Sequence, residues 1–256
     1  MHARSSRNAT GPEGLALPAG TARILGVAGS GSETRNKRPA DLIHEALNSG
    51  KVLSITAHSY NHREREQVDM ILGRYLEEGK MTDLHSLIAY CLHELAGNAR
   101  KANIKRLYYQ MRGLDMANDS DYQAGLEGFK QVATTDDAEW SERMREAGMY
   151  IRFQFLRDHE KITAVVRNNA PLLPVERSRI AEKLREATQY KNMAEAYEHV
   201  RDFTEGAGLG LTMVVIMLRN LGLSDRTLQI YATEKETIAH ITLPLYLASQ
   251  EMDAAG

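Results

Sequence analysis

The stretch Glu205-Gly206-Ala207-Gly208-Leu209-Gly210-Leu211 decides the fold, and the apolar run Met213–Leu218 follows it almost directly. Three glycines at every second position open what the apolar run predicts to be a buried helix. A glycine-rich loop lets backbone N–H groups approach an anion closely, and a helix N-terminus adds its partial positive charge. The pattern therefore predicts an anion site at the start of this helix.

A second segment, far upstream, supplies the residues that a magnesium–nucleotide site needs. Its sequence is His93-Glu94-Leu95-Ala96-Gly97-Asn98-Ala99-Arg100-Lys101-Ala102. Glu94 and Asn98 stand four residues apart, so on a helix they share one face. A side-chain amide oxygen is a hard ligand that suits Mg²⁺, with phosphates and waters completing the octahedron. Asn98 is therefore the candidate metal ligand.

Four blocks in this order resemble the ATP-binding domain of the GHKL superfamily, which includes gyrase, heat-shock chaperones and histidine kinases. The Glu94–Ala102 block resembles the N box, and Val166–Pro174 aligns with the first glycine box, usually V-x-D-N-G-x-G-I-P. Gly206–Leu211 resembles the second glycine box, and Glu236–Pro244 resembles the closing G-T-x-x-x-I-x-L-P strand. The resemblance extends over roughly residues 51–247.

The resemblance implies an α+β two-layer sandwich of the Bergerat type, with a mixed sheet covered on one face by helices. It implies ATP and Mg²⁺ as cofactors, with Glu94 as the catalytic base that orients and deprotonates a water molecule. It implies that Lys101 reaches phosphate as a point charge and that Thr237 helps to bind adenine through water. The implied nucleotide-binding residues are Asn98, Lys101, Asn168, Gly206, Ala207, Gly208, Leu209, Gly210, Leu211 and Thr237.

The first glycine box departs from the family's pattern at the base end of the expected pocket. The family's aspartate, which accepts a hydrogen bond from the adenine amino group, is replaced by Asn168. Two family glycines are replaced by Ala170 and Leu172. An asparagine amide can accept through its oxygen, or it can turn and donate. The departures favour two alternatives to an ATP-dependent enzyme: a catalytically inactive interaction module, or a sensor of another purine-like ligand.

Composition bounds the classes of partner. The chain has 256 residues, of which 43% are hydrophobic and 26% charged, the ordinary balance of a soluble globular domain. A net charge of -2 gives no support for nucleic acid as a partner. The one cysteine, Cys91, excludes an intrachain disulfide and is expected to be buried. No run approaches about 20 apolar residues, so no membrane insertion is expected, and a cytoplasmic location is predicted.

The chain divides into a tail, one domain and a second tail. Residues 1–38 are predicted to be a disordered tail, 39–247 a single GHKL-like domain, and 248–256 a tail. Within the domain, a helical insertion is expected at about 103–148 and a nucleotide lid at about 172–205. The predicted strands are Val52–Ala57, Tyr150–Phe155, Ile162–Val166, Leu228–Thr233 and Thr237–Leu243.

The predicted helices follow from caps and apolar spacing. Asn61 is expected to cap a helix that runs to about Glu78, and Thr82 or Asp83 to cap the N-box helix, which should end near Ala102. The other predicted helices are Ala40–Leu47, Ser178–Tyr190, Met193–His199 and the apolar helix that ends at Leu221. The insertion is expected to be mostly helical, with breaks near 118–120 and 134–137.

The expected function is that of a stand-alone, histidine-kinase-like nucleotide-binding protein in bacterial signal transduction. It would bind Mg-ATP, with phosphotransfer or slow hydrolysis as its activity, so its status as an enzyme stays open. His58 and His44 are poor phosphoacceptors, because neither lies on a long dimerisation hairpin. A protein partner in signalling is expected, and a homodimer is left open.

Overall fold

A computed structural model describes residues 21–23, 38–132, 138–200, 209–224 and 226–247. The strands are β1 (Thr21–Arg23), β2 (Val52–Ala57), β3 (Ile151–Arg157), β4 (Lys161–Asn168), β5 (Leu228–Ala232) and β6 (Thr237–Pro244). The helices are α1 (Pro39–Ser49), α2 (His62–Glu78), α3 (His85–Met111), α4 (Asp119–Val132), α5 (Ala138–Glu146), α6 (Pro174–Ala187), α7 (Met193–Val200) and α8 (Leu209–Asn220).

The strands of the described residues form one six-stranded sheet in the order β1-β2-β3-β4-β6-β5. The short β1 is parallel to β2, and every other neighbouring pair is antiparallel. Helices α1, α2 and α3 contact the central strands β2, β3 and β4. A sheet layer and a helix layer around one core make this an α+β sandwich, as the sequence predicts.

The two faces of the sheet differ in chemistry. On the face toward the helices, Phe153 and Phe155 of β3 are almost fully buried, and Tyr60 and Tyr75 pack on them with ring centroids 5.5 and 5.6 Å apart. On the other face, Gln154 donates a hydrogen bond to Ser54 across the β2–β3 pair. The alternation of apolar and polar residues along β3 therefore reflects a strand with one face in the core, as predicted.

Helix α3, which carries Glu94 and Asn98, differs from its prediction at both ends. It begins at His85, after a 3₁₀ turn formed by Thr82–Leu84, and no side chain caps it. The prediction that Thr82 or Asp83 is the cap was therefore wrong, because these residues start the preceding turn instead. The helix also continues to Met111, beyond the predicted end near Ala102, since Ile104, Leu107 and other buried residues extend its apolar face.

The caps of α2 and α4 are local and follow from the sequence. Asn61 Oδ1 accepts from the backbone N–H of Arg63, while Glu64 bonds back to the N–H of Asn61. Asn118 Oδ1 accepts from the N–H groups of Ser120 and Asp121, so α4 begins at the predicted break. Short polar side chains at these positions satisfy amides that the first helical turn leaves unpaired.

Helix α4 packs closely against α3 through two glycines. A Cβ on Gly125 would lie 2.5 Å from the ring of Tyr109, and a Cβ on Gly128 would lie 2.2 Å from the Tyr108 hydroxyl. Tyr109 is 1% exposed and its hydroxyl donates to the carbonyl of Tyr122. The segment that was expected to be an insertion is thus built into the core of the domain through its glycines.

The prediction of a disordered N-terminal tail was wrong for three residues, because Thr21–Arg23 form β1 and pair with the edge of β2. A parallel partner satisfies backbone groups that an open edge strand would leave unpaired. The rest of residues 1–37, and the C-terminal tail from residue 248, lie outside the described residues. Among the described residues, no helix combines the length and the apolar character needed to cross a bilayer.

Candidate functional site

The contact between Glu94 and Gly210 brings together the two motifs that were singled out in the sequence. A Cβ built on Gly210 would lie 1.9 Å from Glu94 Oε2 and 2.9 Å from Glu94 Cδ. The carboxylate of α3 therefore occupies the space that any side chain at position 210 would need. With glycine at position 210, α8 and the Glu94 carboxylate approach each other this closely, and any larger residue would displace the end of the Glu94 side chain.

Asn98 and Lys101 lie on the exposed part of α3. Both residues are exposed, whereas Glu94 is half-buried. Asn98 stands one turn beyond Glu94 on the same helix, so the amide and the carboxylate share a face. An exposed amide oxygen and an exposed ammonium group next to the Glu94–Gly210 contact are available to a ligand at this end of α3.

Asn168 lies at the end of β4, directly opposite Thr237 of β6 in the strand pairing. Asn168 is only 2% exposed. Its Nδ2 donates to Oδ1 of Asn103 at 3.0 Å, and Nδ2 of Asn103 donates to the carbonyl oxygen of Tyr150 at 2.9 Å. Because Asn103 belongs to α3, the same helix that carries Glu94 and Asn98 also contacts Asn168.

Ala170 and Leu172 stand where the resemblance to the GHKL pattern leads us to expect glycines, and neither is fully exposed. Ala170 is 1% exposed, and its carbonyl accepts a hydrogen bond from the Thr237 hydroxyl at 2.6 Å. Leu172 is half-buried. Thr237 therefore uses its hydroxyl hydrogen within the protein.

The second glycine box is only partly within the described residues. Gly206, Ala207 and Gly208 lie outside them, so their predicted role has no geometry to report. Leu209 is half-buried and Leu211 is 8% exposed at the start of α8. Leu211 contributes to the core, and Gly210 lies against Glu94, another predicted site residue.

A buried charge cluster that was not predicted from the sequence joins α3 to α6. Glu176 Oε1 lies 3.2 Å from Lys105 Nζ and 2.8 Å from Arg106, whose guanidinium also donates to the carbonyl of Pro171 at 2.6 Å. Lys105 also donates to the Tyr122 hydroxyl at 2.7 Å. Helices α3, α4 and α6 therefore meet at one charged cluster, whose only sequence signal is two adjacent basic residues after the N box.

His93, the neighbour of Glu94, points toward α2 rather than toward Gly210. Its Nε2 lies 2.9 Å from Asp69 Oδ1, and its Nδ1 is hydrogen-bonded to the Tyr60 hydroxyl. Burial lowers the pKa of His93, and this outweighs the opposing effect of Asp69. The neutral ring thus accepts at Nδ1 from the Tyr60 hydroxyl, and its Nε2 faces the carboxylate of Asp69.

We expect the two buried histidines to make the fold less stable below neutral pH. Burial lowers the pKa of both His93 and His240. The two histidines therefore bind protons more readily in the unfolded chain than in the folded one. Their contribution to the free energy of unfolding is fully present above about pH 6.5 and is lost as the pH falls below that value. Urea unfolding at pH 7.5 and 5.5 should show a smaller loss for His93→Gln/His240→Gln than for the wild type. The exposed control His62→Gln should lose as much as the wild type.

His58 was dismissed as a phosphoacceptor, and its contacts are structural. Its Nδ1 donates to the carbonyl of Met149 at 2.6 Å, and its ring lines a cavity of about 40 Å³ beside β2. Such a cavity is far smaller than the roughly 300 Å³ or more of a ligand pocket.

Cys91 is fully buried as predicted, and burial raises the pKa of its thiol to about 12. Within the described ranges, no cluster of three or more His, Cys, Asp or Glu side chains is arranged to hold a metal.

Comparison with known proteins gives little beyond this geometry. No protein-family model matches the chain, and no solved structure matches it. A protein of Treponema pallidum (strain Nichols), described as an uncharacterized protein, is 33% identical over 158 residues. That match covers 61% of this chain and 31% of the Treponema protein. The chain therefore corresponds to less than a third of that relative.

Proposed function

We propose that this chain is a nucleotide-binding domain of the GHKL type that binds Mg-ATP. The observation that carries the proposal is the contact between Glu94 of the N box and Gly210 of the second glycine box. Two motifs proposed for the same ligand, far apart in sequence, lie against each other. If either motif matched the GHKL pattern only by chance, there would be no reason to expect the two motifs to be in contact.

The order and pairing of the elements support the same proposal. From β2 onward the chain runs strand, four helices, two strands, three helices and two strands. Asn168 and Thr237 are paired across β4 and β6, and α3 contacts both β4 and α8. Asn168, proposed for the base, and Gly210, proposed for the phosphates, thus both contact α3.

The residues fit the two parts of a Mg-nucleotide. The absence of a side chain at position 210 makes room for the Glu94 carboxylate, while Asn98 and Lys101 are exposed on the same helix as Glu94. Asn98 would supply an oxygen ligand to Mg²⁺, and Lys101 would place a positive charge near phosphate. When bound, Mg²⁺ neutralises charge that develops on the phosphates during transfer.

Glu94 is the proposed general base. Glu94 is half-buried and its carboxylate lies beside Gly210, where it would take a proton from a water or hydroxyl nucleophile. The proposed activity is slow hydrolysis or phosphoryl transfer, within a histidine-kinase-like role in bacterial signalling. The phosphoacceptor would be supplied by a protein partner, because His44 lies on the short helix α1 and His58 directly follows β2, so neither lies on a long dimerisation hairpin.

A metal-dependence experiment tests the proposal. ATP with Mg²⁺ should raise the melting temperature of the wild type more than ATP alone, because a ligand of the folded state stabilises it by mass action. Asn98→Ala should remove the Mg²⁺-dependent part of this rise, whereas Asn48→Ala, an exposed asparagine on α1, should keep it. No melting-temperature change with either nucleotide form would contradict the proposal.

The altered base end favours a second candidate, a sensor or interaction module without ATP-dependent activity. Ala170 is almost fully buried, and the Thr237 hydroxyl donates to its carbonyl oxygen. The same melting experiment with GTP and ADP separates the candidates. A rise with ADP or GTP but none with ATP would favour the sensor, and no rise with any nucleotide would favour the interaction module.

A further inference from the structure

The orientation of the Asn168 side chain is determined by a chain of hydrogen bonds that starts at the backbone. The carbonyl oxygen of Tyr150 can only accept, so the group of Asn103 that faces it at 2.9 Å must be Nδ2. Oδ1 of Asn103 then faces Asn168, and it too can only accept. Asn168 must therefore present Nδ2 to Asn103, at a distance of 3.0 Å.

This orientation leaves Oδ1 as the part of the Asn168 amide that is free to meet a ligand. No residue that the structure describes donates a hydrogen bond to this oxygen. Asn103 is fully buried and Asn168 is 2% exposed, so turning either amide would leave buried polar atoms unpaired. The two alternatives for Asn168, accepting or donating, are thus not equivalent in the folded protein.

We propose that Asn103 is a positioning residue that selects 6-aminopurines over 6-oxopurines by holding Asn168 Oδ1 as an acceptor. This inference rests on the proposed function, since it assigns Asn168 to the base end of the nucleotide site. The adenine amino group donates to an acceptor, whereas the 6-oxo group of hypoxanthine has no hydrogen to donate. Asn168 would thereby accept the hydrogen bond that a carboxylate accepts in the GHKL pattern, without placing a charge in the core.

The test compares ATP with inosine triphosphate (ITP), because their bases differ in the 6-substituent and in the protonation of N1. Calorimetric titration of the wild type should give about tenfold tighter binding of ATP than of ITP. Asn103→Leu removes the acceptor that holds Asn168, so the amide can turn toward the 6-oxo group. The ATP/ITP ratio should then fall to about twofold or less.

Asn103→Asp is the matched variant that separates positioning from stability. It keeps an acceptor opposite Asn168 Nδ2 but sets an oxygen against the Tyr150 carbonyl. We expect it to lose stability, as Asn103→Leu does, and still to prefer ATP about tenfold. A structural role alone would change both variants in parallel, and urea unfolding run beside each titration measures that contribution.

The outcomes are distinguishable. If the wild type binds neither nucleotide, the proposed function fails and this inference falls with it. If the wild type binds ATP and ITP equally, the inference is wrong while the proposed function stands. The same holds if Asn103→Leu folds and keeps the wild-type ratio, or if Asn103→Asp folds and loses it.

Discussion

Replacing Glu176 with alanine is expected to destabilise the fold by about 3 kcal/mol, near the lower end of the cost of breaking a buried ion pair. Glu176 is the one carboxylate in contact with Lys105 and Arg106 within the described cluster, and the side chains of all three are at most 14% exposed. Burial alone would raise the pKa of Glu176, but Arg106 and Lys105 together lower it. Removing it leaves two buried cations unpaired.

Denaturant unfolding of Glu176→Ala at pH 7 measures this loss. Glu182→Ala is the matched control, because Glu182 also lies on α6 and is exposed. The control should change the free energy of unfolding by less than about 0.5 kcal/mol. If Glu176→Ala is as stable as the control, the cluster does not anchor α6 to α3.

Replacing Gly210 with alanine is expected to lower any ATP turnover about 10²-fold while the protein stays folded. The new Cβ would collide with the end of the Glu94 side chain, 1.9 Å away, and not with backbone. A flexible side chain can move aside, so the carboxylate is displaced and the helices keep their places. The variant should therefore resemble Glu94→Ala in turnover.

A stability cycle gives a second readout that does not depend on turnover. In a Glu94→Ala background the collision is absent, so Gly210→Ala should stabilise the fold by up to about 1 kcal/mol, the usual gain of alanine over glycine in a helix. In the wild type that gain should be missing. Gly73→Ala on α2, where the nearest atoms are 3.6 Å away, should behave alike in both backgrounds. Equal effects of Gly210→Ala in both backgrounds would contradict the contact.

Strands β2 to β6 and most helices could be predicted from the sequence, because their signals are local, whereas β1 lies in the predicted tail. The alternation in Ile151–Arg157, the Asn61 capping box and the αL glycine at 222 each act within a few residues. The start of α3 could not be predicted, since Thr82 and Asp83 are good caps that a 3₁₀ turn uses instead. Residue propensities alone do not decide whether these residues begin the α-helix or the 3₁₀ turn that precedes it.

The candidate site was predicted residue by residue, but its connections were not. Glu94 and Gly210 belong to recognisable motifs, whereas the roles of Asn103 and Glu176 depend on partners between 47 and 71 positions away. Asn168 shows the consequence. Sequence alone leaves its amide free to accept or donate, while the backbone carbonyl of Tyr150, acting through Asn103, determines which. No pattern in the sequence contains that long-range hydrogen bond.

Hydrogen exchange with and without Mg-ATP tests the central claim most directly. The claim is that three distant segments form one nucleotide site, so peptides covering residues 91–102, 164–170 and 206–214 should all gain protection together when ATP binds. A peptide from α4 away from the lid, covering residues 124–132, should stay unchanged. Protection of only one of the three segments, or of none at a saturating ATP concentration, would contradict the claim.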